Sequence, residues 1–187
     1  MPGIVIGFND STNEYFSNLF TQINSNEELI KTSVIPHISL MRFQNMTDVS
    51  KISSILKNIT FTDFKVNVKG ISIYRKSESK FVLVLDPFYD EKISSIHRLI
   101  WEKLENEIDL KEPELYSPTL CSLHLTINLI EPSKTNLIKV LGNLMEIPKE
   151  TFQIQTNKFL VIDKGTVHYE QPFLQTGNGL PLKYYNN

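Results

Sequence analysis

The chain has 187 residues, 41% of them hydrophobic and 21% charged, the balance of a soluble globular protein. That length allows one compact domain or two small lobes sharing an interface. A formal net charge of −2 gives no basic excess for coating nucleic acid, which excludes long duplexes as partners and leaves a nucleotide or short oligonucleotide, for which a few local cations suffice.

At the N-terminus, "MPGIVIGFND" has no positive flank and too short an apolar run for a signal peptide. Residues 3–8 read as a strand. "DSTNEYFSNLFTQINS" reads as a helix, capped by Asp10 or Ser11, with Tyr15, Phe16, Leu19, Phe20 and Ile23 at helical spacing. A strand over 33–43 follows, then a helix in "MTDVSKISSILKNI" with Thr47 as cap and Val49, Ile52, Ile55, Leu56 and Ile59 as its stripe. "DFKVNVKGISIYRKSESKFVLVLDP" reads as a hairpin turning at "RKSESK". The longest helix lies in "YDEKISSIHRLIWEKLENEI", with Ile93, Ile96, Ile100, Leu104 and Ile108 as its stripe and His97 at the stripe's edge as a packed residue. "LKEPELYSP" reads as a loop, "CSLHLTINLI" as a strand, "PSKTNLIKVLGNLM" as a helix, and "TFQIQTNKFLVIDKGTVHYEQPF" as a hairpin turning at "DKG". The tail over 171–187 is rich in Gly, Pro and Asn and reads as irregular.

No run of about 18 apolar residues exists, so no membrane span is expected. The single cysteine, Cys121, rules out an intrachain disulfide and fits a reducing, cytoplasmic setting as a small core residue. The sequons at Asn9, Asn45 and Asn58 are then chance matches. No CxxC, HExxH, P-loop or GxGxxG occurs, and neither cofactor nor metal is expected. A monomer is expected.

Two of the four histidines share a setting. In "SVIPHISLM" alternation puts His37 and Ser39 on one face of a strand, and in "CSLHLTINLI" it puts His124 and Thr126 on one face, with Asn128 in step. His97 and His168 have no such partner; His168 reads as a surface strand residue. A lone His-x-Ser is weak, because buried histidines are most often structural. The second copy changes its weight. In each half a helix, the histidine strand, a helix and a hairpin follow in order. His37 and His124 stand 87 residues apart, Phe64 and Phe152 88, and Lys80 and Thr166 86. This predicts a single α+β domain over 1–187 with an internal repeat of about 87 residues. It would form two pseudo-symmetric lobes, each an antiparallel sheet with helices outside, around a central cleft.

Two imidazoles and two hydroxyls converging on one cleft suit phosphodiester chemistry without a metal. One histidine acts as base, the other as acid, and the hydroxyls donate to phosphate oxygens. No Asp or Glu accompanies either histidine within its strand, against a metal triad. Parity turns Arg42 away from His37 and Ser39 unless the strand bulges, so it reads as solvated. Tyr74 and Tyr169, on the hairpins, are positions where a base can stack.

"PHISL" and "LHLTINL", one lobe apart, resemble the paired motifs of the 2H phosphoesterase superfamily, which includes LigT-like RNA 2′,3′-cyclic phosphodiesterases, also called 2′-5′ RNA ligases. The resemblance spans roughly residues 1–170; Ser39 stands where threonine is commoner. It implies a metal-free site with His37 and His124 catalytic and Ser39 and Thr126 binding phosphate. The expected activity is on 2′,3′-cyclic phosphates or 2′-5′ linkages of RNA or short oligonucleotides. Family alternatives are hydrolysis of 2′-5′ oligoadenylates or cyclic nucleotide immune signals, and trimming of RNA 3′ ends. A binding module that holds a nucleotide phosphate without turnover is the reading of a different class.

Overall fold

The computed structural model describes residues 2–24, 35–77, 80–87, 91–121, 125–130, 134–146 and 152–174, and these hold seven strands and five helices. They are β1 (Gly3–Phe8), α1 (Asp10–Asn24), β2 (His37–Arg42), a 3-10 turn at Met46–Asp48, α2 (Val49–Leu56), β3 (Phe64–Ser77), β4 (Lys80–Pro87), α3 (Glu91–Leu104), α4 (Pro113–Tyr116), β5 (Leu125–Ile130), α5 (Lys134–Glu146), β6 (Phe152–Asp163) and β7 (Thr166–Pro172).

The helices follow the apolar spacing closely. On α1, Phe16, Leu19, Phe20 and Ile23 are buried, while Tyr15 sits at the rim. Its cap is Asn9 rather than Asp10 or Ser11: Asn9 Oδ1 accepts from the Thr12 amide at 3.0 Å and from Ser11 Oγ at 3.1 Å, taking up a backbone donor that the first turn leaves open. On α3, Ile93, Ile96, Ile100 and Leu104 are buried together with His97. The helix ends at Leu104, and Ile108 stays buried beyond it. Thr47 lies inside the 3-10 turn, so α2 starts after it. The one-turn helix α4 stands where a loop was expected, entered through Glu112 in the left-handed region (φ 52°).

The strands are antiparallel throughout and make one hydrogen-bonded set in the order β1-β2-β5-β4-β3-β6-β7, with β1 also paired to β6. Two runs of three, β2-β1-β6 and β5-β4-β3, are therefore joined at both ends, by β2–β5 and by β3–β6. The closure at β3–β6 is reinforced by Thr156, a fully buried side chain whose Oγ1 donates to the Phe64 carbonyl (2.9 Å) and accepts from its amide (3.3 Å). The β6–β7 turn uses Lys164 (φ 48°) and Gly165 (φ 83°), two consecutive positive-φ residues, which is the twist a two-residue hairpin requires. Residues 171 and 172 belong to β7, and Leu174 bridges to Thr62.

The order β-α-β-α-β occurs twice, as β1-α1-β2-α2-β3 and, apart from α4, as β4-α3-β5-α5-β6. Each third strand sits in the other run: β3 pairs with β4, and β6 with β1. The offset between Lys80 and Thr166 equates β4 with β7, yet these strands have different neighbours. β4 lies between β3 and β5, while β7 pairs with β6. By pairing, β4 occupies the place of β1.

The main core lies on one face of the strands, where Ile4, Ile6, Ile38, Leu40, Met41, Leu83, Leu85, Leu125, Phe159 and Val161 meet the buried stripes of α1, α2 and α3. Val5, Leu160 and Ile162 form a separate small cluster on the other face. Thr156→Val is expected to destabilise the fold by about 1–3 kcal/mol, because it leaves buried backbone groups of Phe64 without their partner. Urea denaturation would show it as a lower midpoint at unchanged slope, while Gln153→Ala on the same strand should stay within about 0.5 kcal/mol.

Candidate active site

His37 opens β2, and its backbone partner across the sheet is Thr126 of β5; Ile38 faces Leu125 in the same way. Directly opposed residues of an antiparallel pair share a face. The two His-x-Ser/Thr motifs therefore meet at adjacent positions of neighbouring strands. His124 itself, and the side chains of Thr126, Asn128 and Tyr74, lie outside the described part of the structure.

The His37 ring is buried, and its Nδ1 lies 2.6 Å from the Ile35 carbonyl. A carbonyl only accepts, so Nδ1 carries the proton. In the neutral ring this leaves the lone pair on Nε2, the tautomer of a base acting through Nε2. Ser39 is half-buried and pairs with Val5 on the face opposite the main core.

Beyond Ser39 the strand changes step. Val5 pairs with Ser39, but Ile4 pairs with Met41 and Gly3 with Arg42, so Leu40 is an extra residue on β2. Such a bulge puts two successive side chains on one side. Leu40 and Met41 are both fully buried in the main core, and Arg42 comes round to the face of Ser39 and His37. A Cβ built on Gly3 would lie 3.7 Å from Arg42 Cγ, so the arginine stem runs along the bare backbone of β1. The guanidinium carbon sits 5.4 Å from the ring centroid of Tyr116, in cation–π geometry. Simple alternation had turned Arg42 away; the bulge is what corrects it. The doublet Leu40-Met41, two apolar residues in succession within an alternating strand, is the sequence signal for it.

The second motif strand has the same irregularity. Val84 pairs with Thr126 but Leu83 with Asn128, which leaves Ile127 as the extra residue. In both strands the extra residue comes three positions after the motif histidine. Asn128 thereby falls opposite Leu83, a main-core residue, and out of step with Thr126. Tyr74 pairs with Val82, two residues along β4 from Val84, so its register position is in step with Thr126. Tyr169 pairs with Val161, packs against the main core and donates its hydroxyl hydrogen to Gln171 Oε1 at 2.9 Å. His168 is exposed. Burial pushes the Cys121 thiol up, away from a reactive thiolate.

Among the described residues no group of three or more His, Cys, Asp and Glu side chains is placed to hold a metal ion, and no helix is long and apolar enough to cross a membrane. A groove of about 520 Å³ runs between α2 and α3, where Lys51 pairs with Glu107 at 2.7 Å; no residue of β2 or β5 lines it.

No family model matches the chain, and no curated protein matches it. Solved structures do. Unliganded E. coli LigT superposes with a TM-score of 0.61 at 10% identity, over 93% of this chain and 97% of that one. TT0787 of Thermus thermophilus gives 0.58 at 12% identity, over 94% and 98%. Kluyveromyces marxianus Usb1 gives 0.54 at 11% identity, over 92% and 97%. LigT has also been seen with 3′-AMP and with ATP, and the same Usb1 with uridine monophosphate. The fold of this chain, with its two opposed His-x-Ser/Thr strands, is LigT-like.

Proposed function

We propose that the chain is a metal-independent phosphodiesterase of the 2H type, acting on 2′,3′-cyclic phosphates or 2′-5′ linkages of RNA or short oligonucleotides. The observation that carries this reading is the opposition of His37 and Thr126 across β2 and β5. It joins two motifs far apart in sequence, in a chain whose fold is that of proteins seen with 3′-AMP and uridine monophosphate. His124, next in sequence to the first residue of β5, is assigned the second imidazole.

For a cyclic phosphate the steps are as follows. One imidazole, neutral and with its lone pair on Nε2, takes a proton from water as the water oxygen bonds to phosphorus. The bond from phosphorus to one ribose oxygen breaks. The other imidazole, entering protonated, gives its proton to that oxygen, and a phosphate monoester and a free hydroxyl result. The Nδ1–H bond of His37 to Ile35 suits either role, since it leaves Nε2 to exchange the proton. The hydroxyls of Ser39 and Thr126 donate to non-bridging oxygens, and Arg42 supplies the positive charge on the same face.

Turnover should survive EDTA and follow a bell-shaped pH profile, one limb for each imidazole. His37→Ala and His124→Ala should each lower kcat by about 10²- to 10⁴-fold. The double variant should be little worse than either, because the pair acts as a unit. A metal-free panel of 2′,3′-cyclic nucleotides, 2′-5′ and 3′-5′ oligonucleotides and cyclic dinucleotides identifies the substrate. Loss of activity in EDTA that a divalent metal restores overturns the mechanism, and absence of turnover on every arm leaves the binding module.

Arg42 and Ser39 should differ in weight. Arg42→Ala should lower kcat/KM by about 10- to 100-fold, as loss of a charged hydrogen bond does, and Ser39→Ala by about 3- to 10-fold. Arg42→Lys should recover part of the loss. Equal kinetics for Arg42→Ala and the wild type would remove Arg42 from the phosphate.

A further inference from the structure

Among the described residues His97 is buried like His37, and the proposed reaction has no use for it. It is 2% exposed, on the core side of α3. Its Nε2 lies 2.8 Å from the Tyr116 carbonyl, and its ring lies close to the Leu40 backbone. These two residues share one feature. Leu40 is the bulge residue that turns Arg42 onto the His37 face, and Tyr116 carries the ring under the Arg42 guanidinium. One imidazole thus bonds to one cause of the arginine's placement and lies beside the other.

The surrounding backbone shows why such a contact is needed. Toward its C-terminal end β2 is flanked by residues 109–111: the Gln44 amide donates to the Asp109 carbonyl, Phe43 bridges to Leu110, and the Lys111 amide donates to the Arg42 carbonyl. α4 comes next and brings Tyr116 back over Arg42. It is one turn long, and its entry residue Glu112 makes no side-chain cap bond. So short a helix has little stability of its own. The bond from His97 ties its last residue to α3, an element fixed in the main core. Burial holds the His97 imidazole below the ordinary histidine range, and the two carbonyls pull it the other way. A neutral ring has a single N–H, and the Nε2 contact assigns that bond to Tyr116.

We infer that His97 is a positioning residue for Arg42, acting through the Tyr116 carbonyl to hold the guanidinium on the face of His37 and Ser39. Its kinetic consequence rests on the phosphodiesterase reading; the placement of Arg42 does not.

The test reads the two separately, on the full chain. In ¹⁵N-labelled protein the Arg42 Nε–H signal, assigned by its loss in Arg42→Lys, should be displaced upfield by the Tyr116 ring. Tyr116→Leu should abolish the displacement and so calibrates it. His97→Leu should move the signal most of the way to that of Tyr116→Leu, and His97→Gln, whose amide reaches the Nε2 position, should restore it. His97→Asn, whose amide stops at the Nδ1 position, should behave like His97→Leu and serves where the leucine variant does not fold. In kinetics, His97→Leu should lower kcat/KM about tenfold, less than the hundredfold that a 1 Å displacement can cost. It should do so only where Arg42 is present; in Arg42→Ala it should change nothing beyond twofold. An Arg42 signal unmoved in both His97→Leu and His97→Asn overturns the inference, as does a full kinetic loss in the Arg42→Ala background. If no substrate is turned over while the signal moves as expected, the positioning role stands and the phosphodiesterase reading falls.

Discussion

The site depends on the pairing of β2 with β5, which sets His37 opposite Thr126 and Ile38 opposite Leu125. Each strand is secured on its other side, β2 by β1 and β5 by β4. Both strands carry a bulge just beyond the motif, after Ser39 and after Thr126, and a bulge bends a strand and re-aims the side chains that follow it. His37, Ser39 and Thr126 therefore occupy positions ahead of the bulges.

Chemistry and stability are divided between the two faces of the strands. On one face Ile38, Leu125 and Leu85 pack with the helices into the main core. On the other, His37 and Ser39 stand near a small apolar patch of Val5, Leu160 and Ile162. Gly7 contributes a close approach on this second face: a Cβ there would come within 3.0 Å of Leu160 Cδ1. Ser39 and Arg42 lie off the main core, so on the phosphodiesterase reading their substitution is felt in kinetics rather than in denaturation. The helices reach this face through buried contacts, of which the His97 bond to α4 is the clearest.

Alternation and helical spacing were legible in the sequence wherever the chain is regular. Apart from Tyr15, which is exposed, and Ile108, which is buried beyond the end of α3, the stripes of α1 and α3 are buried as spaced, and His37 and Ser39 share a face because β2 is still regular there. Parity fails one step later. A single inserted residue reverses every side chain after it, so Arg42 lies on the face opposite to the one alternation assigns it, and the register position of Asn128 is out of step with that of Thr126. In β2 the insertion leaves a trace, the apolar pair Leu40-Met41; in β5, Ile127 obeys the alternating pattern and leaves none. The Asn9 cap and α4 were missed for a different reason. Several neighbouring polar residues are equivalent as caps until the chain direction is known, and a four-residue helix has too few positions to show a period.

The exchange of β3 and β6 between the two runs of strands also governs how the chain can reach this structure. β1 pairs along one edge with β2, close in sequence, but its other edge waits for β6, as in the contact of Gly7 with Lys158. Contacts so distant along the chain slow folding, because the entropy of closing the loop is lost before the pairing compensates for it. Until β6 arrives, the hydrophobic strand Gly-Ile-Val-Ile-Gly-Phe exposes an unpaired edge, the kind of surface on which chains join one another. Each half lacks the strand that completes it and finds it only in the other. A fragment ending before β6 would leave β1 with that edge open, and a second copy of the fragment, offering its own β3, is the nearest strand of matching kind.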